Sequence, residues 1–105
     1  MTSTPFAYRA VETDDEGFLA DPSQWDHALG EQIAHENGIP ELTNRHWLVI
    51  EFMRHRFLTT GAAPSIRALG KESGVPVKEL YQLFPRGPAK LAAKIGGIPK
   101  PHGCI

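Results

Sequence analysis

Residues 42–57, LTNRHWLVIEFMRHRF, form a long amphipathic stretch around which we predict the fold to be built. Thr43 suits the N-terminal cap of a helix, and Leu42 before it can pack on Trp47 as a hydrophobic staple. Beyond the cap, apolar side chains recur at the three- to four-residue spacing of a buried helical face, namely Trp47, Ile50, Met53 and Phe57. The stretch therefore predicts a central helix, which Gly61 ends.

Four more helices are predicted from caps and helix breakers. One precedes the central helix: it opens at Ser23, with Asp26 as the second member of a variant capping box, and ends at Asn37-Gly38. Its predicted buried face holds Trp25, Ala28, Leu29 and Ile33. The other three follow the central helix, from Ser65 to Gly74, from Pro76 to Pro85 and from Pro88 to Ile95.

The amino-terminal segment predicts a short β-hairpin. Phe6 to Val11 place apolar side chains at a spacing of two, and Asp14 to Gly17 are turn-forming residues. The predicted fold class is mainly α: a small orthogonal helical domain with a helix-turn-helix-like core, a short amino-terminal hairpin and a flexible carboxy-terminal arm. The domain covers residues 1–95 and the arm covers residues 96–105.

The chain has 105 residues, of which 41% are hydrophobic and 22% charged. We expect one globular domain that folds without disulfides or metal. No apolar run approaches the roughly 20 residues of a membrane span, and Met1 to Ala10 lack the pattern of a signal peptide. We therefore expect a soluble, cytoplasmic protein.

The formal net charge of −1 conceals an asymmetry between the two halves of the sequence. Residues 1–53 hold ten carboxylates against Arg9 and Arg45, a net charge of −8, whereas residues 54–105 hold nine Lys or Arg against two glutamates, a net charge of +7. Such a distribution can steer the basic end toward an acidic protein surface or toward a phosphate backbone. The alternative is an ordinary solvated surface of mixed charge.

The last ten residues, GGIPKPHGCI, hold three glycines and two prolines, a composition that excludes a helix and disfavours a paired strand. They predict an arm with Cys104, the one cysteine of the chain, near its tip. Cys104 lies eight residues from Gly96, or about 25 Å in polyproline geometry, which is twice the radius of gyration of about 13 Å expected for such a domain. A thiol on this tether suits entry into another protein's active site, where it can attack, accept a sulfur atom or form a mixed disulfide. The alternatives are a buried filler and an inert passenger.

Two other kinds of site are weighed against the thiol. The five histidines match no metal-binding spacing, so neither a metal nor a cofactor is predicted. Residues 65–84 have the outline of a helix-turn-helix with Arg67, Lys71 and Lys78 nearby, which would make the chain a DNA-binding or sulfur-responsive regulatory protein. Against base readout, the second of these helices carries Lys78 as its one cation. Binding to nucleic acid is therefore not favoured.

Two stretches near the carboxy terminus, LFPRGPAK from Leu83 to Lys90 and GIPKPHGCI from Gly97 to Ile105, resemble the DsrC/TusE family of sulfur-relay proteins. Weaker agreement extends upstream through Glu16 to Leu19, Ser23 to Trp25, Leu42-Thr43, His46-Trp47 and Pro64 to Arg67. The resemblance implies a small helical fold with a helix-turn-helix-like core, an amino-terminal hairpin and a swinging arm. It also implies that Cys104 is the family's penultimate cysteine, loaded as a persulfide by an upstream relay protein.

One departure from the family concerns a second cysteine. Members that serve dissimilatory sulfite reductase carry it eleven residues before the penultimate one, where this chain has Ala93. The resemblance therefore points to the single-cysteine branch, similar to TusE, which relays sulfur toward tRNA thiolation, or to single-cysteine relatives with a regulatory role. An accessory subunit of a reductase complex is a third possibility.

The resulting hypothesis is a sulfurtransferase-type carrier rather than a stand-alone enzyme. It accepts a persulfide on Cys104 from a DsrEFH- or TusBCD-like donor and passes it to an acceptor enzyme, in tRNA thiolation or in sulfur oxidation and trafficking. In this hypothesis Gly96 and Gly97 form the hinge of the arm, prolines stiffen it, and cations draw it into an acidic opening or stabilise the persulfide. The complete predicted site is Cys104 with Arg86, Lys90, Lys94, Gly96, Gly97, Pro99, Lys100, Pro101, His102 and Gly103.

Overall fold

The computed structural model describes residues 12–85 and 87–101. It contains five helices, α1 (His27–Glu36), α2 (Asn44–Thr60), α3 (Ile66–Glu72), α4 (Val77–Leu83) and α5 (Pro88–Ile95), and one turn of 3-10 helix, Pro22–Gln24, before α1. The mainly helical fold class is confirmed. Within the described ranges, no helix combines the length and the apolar character that crossing a bilayer requires.

The caps of α2 and α3 lie where the sequence predicts them. The Thr43 hydroxyl accepts a hydrogen bond from the His46 N–H at 3.4 Å, and the His46 ring accepts one from the Thr43 N–H at 3.0 Å. The Ser65 hydroxyl accepts from the Ala68 N–H at 3.2 Å. Gly61 ends α2 with a φ of 84°, in the left-handed region that glycine adopts without strain.

The start of α1 differs from the prediction. Asp26, and not Ser23, is the cap, because its carboxylate accepts a hydrogen bond from the Leu29 N–H at 2.9 Å. The hydroxyl and the N–H of Ser23 instead donate to Asp21, and these two hydrogen bonds lower the pKa of the Asp21 carboxyl. Trp25 therefore precedes α1 instead of lying on its buried face.

The helix at the centre of the fold is α5 rather than α2. It contacts each of the other four helices, and three of its alanines are fully buried. Small side chains let neighbouring helices approach from several directions, whereas α2 buries the single stripe His46, Val49, Ile50 and Met53. The prediction of α2 as the central helix is wrong in this respect.

The hydrophobic core surrounds α5 and extends past its end. Its largest fully buried apolar side chains are Phe18, Val49, Ile50, Met53, Leu69, Val75, Leu80, Phe84, Pro88, Ile95 and Ile98. Ile98 follows α5 by three residues and has no exposed surface. The core therefore includes a residue of the segment that the sequence predicts to be an arm.

The amino-terminal hairpin is not supported. A tight turn does form at residues 14–18, where the Asp14 carboxylate accepts hydrogen bonds from the N–H groups of Glu16 and Phe18 at 2.9 and 3.0 Å. Thr13 and Leu19 form one isolated antiparallel bridge across this turn. Residues 12–85 and 87–101 contain no strand, and the predicted first strand, residues 6–11, lies outside the described residues.

Candidate functional site

The predicted site divides into a described part and a part outside the description. Lys90, Lys94, Gly96, Gly97, Pro99, Lys100 and Pro101 are described, whereas Arg86, His102, Gly103 and Cys104 lie outside the described residues. The described part therefore consists of the basic face of α5 and the chain that follows it. We refer to residues 96–101 as the root segment, since it leads to Cys104.

The root segment begins by closing the end of α5. The Ile98 N–H donates to the Ala93 carbonyl at 3.1 Å, and the Gly97 N–H donates to the Lys94 carbonyl at 3.2 Å. Gly97 has a φ of 69°. This is the Schellman pattern of helix termination, in which a left-handed residue turns the chain back and the next apolar residue packs on the helix.

The root segment is packed where the sequence predicts a hinge. Gly96, Gly97 and Ile98 are buried, Pro99 and Lys100 are exposed, and Pro101 is buried again. The composition of the segment predicts an arm that starts at Gly96. The structure instead places its first three residues in the body of the protein, where Ile98 belongs to the hydrophobic core.

Two side chains outside the predicted site hold the start of the root segment. Trp25 Nε1 donates a hydrogen bond to the Ile95 carbonyl at 2.7 Å, and Arg54 Nη1 donates one to the Gly96 carbonyl at 2.8 Å. Arg54 Nη2 also donates to the Pro22 carbonyl at 3.3 Å. Burial lowers the pKa of Arg54, with Glu51 opposing the shift by its negative charge. No sequence signal pairs these residues, because they lie 70 and 42 positions from the carbonyls they bind.

The Trp25 indole fits against backbone that lacks side chains. A Cβ atom added to Gly97 would lie 2.5 to 2.9 Å from Trp25 Cδ1, Cγ and Cβ, and one added to Gly30 would lie 3.1 Å from Trp25 Nε1. The indole also contacts the Arg54 guanidinium, whose Cζ is 4.3 Å from the ring centroid, a cation–π distance. Close packing against two glycines and contact with one cation therefore help to hold the indole in place.

Lys90 and Lys94 lie one turn apart on α5 and line the same cleft. The cleft has a volume of about 180 Å³, and its other lining residues are Asn37, Pro85 and Leu91. Lys94 Nζ lies 5.4 Å from the centroid of the Phe18 ring. No carboxylate of residues 12–85 or 87–101 lies within ion-pair distance of either ammonium group. The cleft is therefore lined by two ammonium groups from one face of α5.

Lys100, unlike the other two lysines, has a carboxylate partner among the described residues. Its Nζ forms an ion pair with the carboxylate of Glu16, at 3.2 Å from Oε1 and 3.4 Å from Oε2. The pair fastens the exposed part of the root segment to the turn at residues 14–18. The structure thus brings together two of the three lysines predicted to act on the arm, and it gives the third a carboxylate partner.

The region predicted as a helix-turn-helix consists of α3 and α4, which pack on each other. In α4, Glu79 forms an ion pair with Arg45 of α2, and this hydrogen-bonded pair lowers the pKa of Glu79 and raises that of Arg45. The exposed face of α4 carries Val77 and Tyr81. The seven residues of α4 therefore offer Lys78 as their one cation to a phosphate backbone.

Within the described ranges no group of three His, Cys, Asp or Glu is placed to hold a metal ion.

Comparison with known proteins finds relatives over nearly the whole length of the chain. A family profile described as DsrC like protein matches residues 5–105. Sulfurtransferase TusE of Salmonella typhimurium is 44% identical over 108 residues, covering 95% of this chain and 97% of that protein. The dissimilatory-type sulfite reductase subunit gamma of Nitratidesulfovibrio vulgaris is 35% identical over 105 residues, covering 100% of both. A crystal structure of dissimilatory sulfite reductase I (DsrI) has a TM-score of 0.85 and 38% identity, covering 95% of this chain and 96% of that one.

Proposed function

The chain belongs to the family described as DsrC like protein, and on that premise we propose that it is a sulfur carrier that holds a sulfur atom as a persulfide on Cys104 and passes it to a partner protein. The observation that carries the proposal is the 44% identity to sulfurtransferase TusE over nearly the whole chain. Cys104 is the one cysteine of the sequence and so the one thiol available. The DNA-binding alternative is not favoured, because the relatives are named for sulfur chemistry.

Loading is a transfer between sulfur atoms. The Cys104 thiolate attacks the outer sulfur of a persulfide on the donor protein, as a thiolate attacks a disulfide. A sulfur–sulfur bond forms at Cys104, the bond between the two sulfur atoms of the donor breaks, and the donor leaves as a thiolate. Cys104 is left with one additional sulfur atom and the proton of the original persulfide.

Unloading repeats the same chemistry in the other direction. A thiolate of the acceptor attacks the outer sulfur on Cys104, and Cys104 leaves as a thiolate. The transferred sulfur keeps its oxidation state in both steps, so neither an oxidant nor a reductant is required. The chain therefore acts as a carrier between two partner proteins rather than as a stand-alone enzyme. We propose a DsrEFH- or TusBCD-like donor and an acceptor enzyme, both in the cytoplasm.

Because the sequence has one cysteine, the protein cannot act as a carrier that uses two cysteines of the same chain. Ala93, which stands at the position where the resemblance places the second cysteine of other members, is fully buried in α5. No disulfide can form within a chain that has one thiol. We therefore propose the single-cysteine, TusE-like type of carrier, in which any disulfide of Cys104 joins it to another molecule.

The lysine cleft supplies positive charge on α5, the helix after which the chain continues to Cys104. A persulfide is an anion near neutral pH, and Lys90 and Lys94 have no carboxylate partner among the described residues. We propose that these two ammonium groups attract anionic sulfur species and acidic partner surfaces as point charges. We propose the same role for Arg86 and Lys100, which the sequence places on either side of α5. Pro99, Pro101, His102 and Gly103 complete the segment that presents Cys104.

Loading can be tested by incubating the protein with inorganic polysulfide and measuring its intact mass. The wild-type chain is expected to gain the mass of sulfur atoms, and Cys104→Ser is expected to gain none, because a hydroxyl does not attack sulfur under these conditions. Dithiothreitol should return the loaded protein to its original mass. Equal gain by both proteins, or no gain by either, would contradict the carrier proposal.

The role of the cleft gives a second prediction. The double variant Lys90→Gln/Lys94→Gln is expected to load from polysulfide about threefold more slowly at low salt, because two charges that attract the anion are lost, and the difference should shrink in high salt. Lys71→Gln/Lys78→Gln removes the same charge from α3 and α4 and serves as the matched control. If the two double variants slow loading equally, net charge rather than the cleft is responsible.

A further inference from the structure

Trp25 and Arg54 act together on the backbone at the start of the root segment, and we refer to these two residues as the clasp. They donate to the consecutive carbonyls of Ile95 and Gly96 at 2.7 and 2.8 Å. Carbonyls at the end of a helix lack partners within the helix and need them elsewhere. Trp25 comes from the chain before α1 and Arg54 comes from α2, so the clasp ties the end of α5 to two separate parts of the fold.

The clasp is built as a unit. The guanidinium lies over the indole at 4.3 Å, and the indole lies against Gly97, where a Cβ atom would overlap it. Beyond this point Ile98 is buried in the core and Lys100 pairs with Glu16. Each contact in this series fixes a residue further along the chain toward Cys104, and the series begins at the clasp.

We propose that Trp25 and Arg54 are positioning residues for sulfur transfer: by holding the end of α5 they fix the point at which the segment bearing Cys104 leaves the body and so limit how far its sulfur can reach. The inference rests on the proposed carrier function, and it adds that a partner must bring its sulfur atom close to the surface of this protein. Both residues act through the backbone of the root segment.

The limit on reach follows from counting residues. If the tether starts at Gly96, eight residues lead to Cys104 and span about 25 Å in polyproline geometry, whereas a tether that starts at Pro101 has three residues and spans about 9 Å. With the clasp closed, a partner must bring its own sulfur atom to within about 10 Å of the surface around residues 99–101. The clasp therefore selects partners with a shallow receiving site.

The test compares a protein-sized reagent with a small one, since reach affects only the first. The protein-sized reagent is a second copy of this chain whose Cys104 carries a nitrothiobenzoate mixed disulfide. A free Cys104 thiolate attacks the Cys104 sulfur of that copy, a disulfide between the two chains forms, and coloured nitrothiobenzoate leaves as a thiolate. The small reagent is iodoacetamide, which alkylates Cys104 regardless of tether length.

We expect Trp25→Phe/Arg54→Met, in both copies, to raise the chain-to-chain rate about threefold or more, because a longer tether relaxes the constraint on how two bodies must approach. The iodoacetamide rate should stay unchanged. Arg54→Met alone retains the indole hydrogen bond and should give a smaller increase in the chain-to-chain rate. It is measured in parallel, so that the effect of the clasp on this rate is tested even if the double variant fails to fold. Arg54→Lys retains a cation and one donor for Gly96 but loses the second donor to Pro22, so its chain-to-chain rate should lie between those of the wild type and Arg54→Met.

The matched control is Arg45→Met, which removes an arginine from the same helix but breaks an ion pair with Glu79 instead. It should leave both rates unchanged. A chain-to-chain rate that stays the same in folded clasp variants would overturn the inference, and so would a parallel rise of both rates, which indicates general loosening. Failure of the carrier proposal is seen separately, in the absence of sulfur uptake from polysulfide.

Discussion

Gly97→Ala is expected to lower the free energy of unfolding by about 3 kcal/mol or more, for two separate physical reasons. An alanine at a φ of 69° is strained by about 1 to 2 kcal/mol. Its methyl group would also lie 2.5 to 2.9 Å from Cδ1, Cγ and Cβ of Trp25, and such overpacking costs about 1 to 3 kcal/mol. The overlap is with the inner atoms of the indole, which cannot swing away while Nε1 is bonded to Ile95.

Gly38→Ala is the matched control for this prediction. Gly38 occupies the same position in the turn that ends α1, with its N–H bonded to the His35 carbonyl and a φ of 89°, but an added Cβ atom would meet nothing within 4 Å. It should therefore cost only the strain, about 1 to 2 kcal/mol. Thermal unfolding followed by circular dichroism measures both, and about 4 to 8 °C is expected per kcal/mol. Equal losses for the two variants would contradict the close packing of Trp25 on Gly97.

Ile98→Ala is expected to lower the free energy of unfolding by about 3 kcal/mol, the usual cost of removing a large aliphatic side chain from a core. The side chain has no exposed surface and belongs to the same cluster as Ile95. An isoleucine in a solvated arm would contribute almost nothing. The prediction therefore separates a packed root segment from the arm starting at Gly96 that the sequence suggests.

The control for Ile98→Ala is Leu58→Ala in α2, since Leu58 is 65% exposed. This substitution should change the free energy of unfolding by less than about 0.5 kcal/mol. Urea titration measures both variants at equilibrium. A cost below about 1 kcal/mol for Ile98→Ala would mean that the root segment is not part of the core, and the longer reach of about 25 Å for Cys104 would then apply.

Helix positions were largely predictable because their determinants are local. Thr43 and Ser65 bond to N–H groups three residues away, and Gly61 reverses the chain within one turn. Ser23 and Asp26 can both cap a helix and stand three positions apart, so local capping rules alone did not decide which of them begins α1. Ser23 donates to Asp21 and leaves the cap of α1 to Asp26, an outcome that depends on where the preceding turn places each side chain.

The candidate site was predictable only in part. The uniqueness of the thiol, the basic half of the sequence and the family resemblance single out Cys104 and the lysines of α5 as candidates. Arg54 was counted as one more cation and Trp25 as one more core aromatic. Gly30, inside a helix, is a sequence sign of close approach by another group, but it does not reveal that the group is Trp25.

The sequence by itself determined the helices and the position of the single thiol near the carboxy terminus, because these depend on residue identity and on interactions within a few positions. Only the tertiary structure decided that Gly96, Gly97 and Ile98 belong to the body of the protein. A segment rich in glycine and proline has no helix or strand signal, so its composition cannot distinguish a free tether from a packed one. Contacts that exist only once the helices have packed distinguish the two: Ile98 is buried in the core, and Trp25 and Arg54 bind the end of α5 from 70 and 42 residues away.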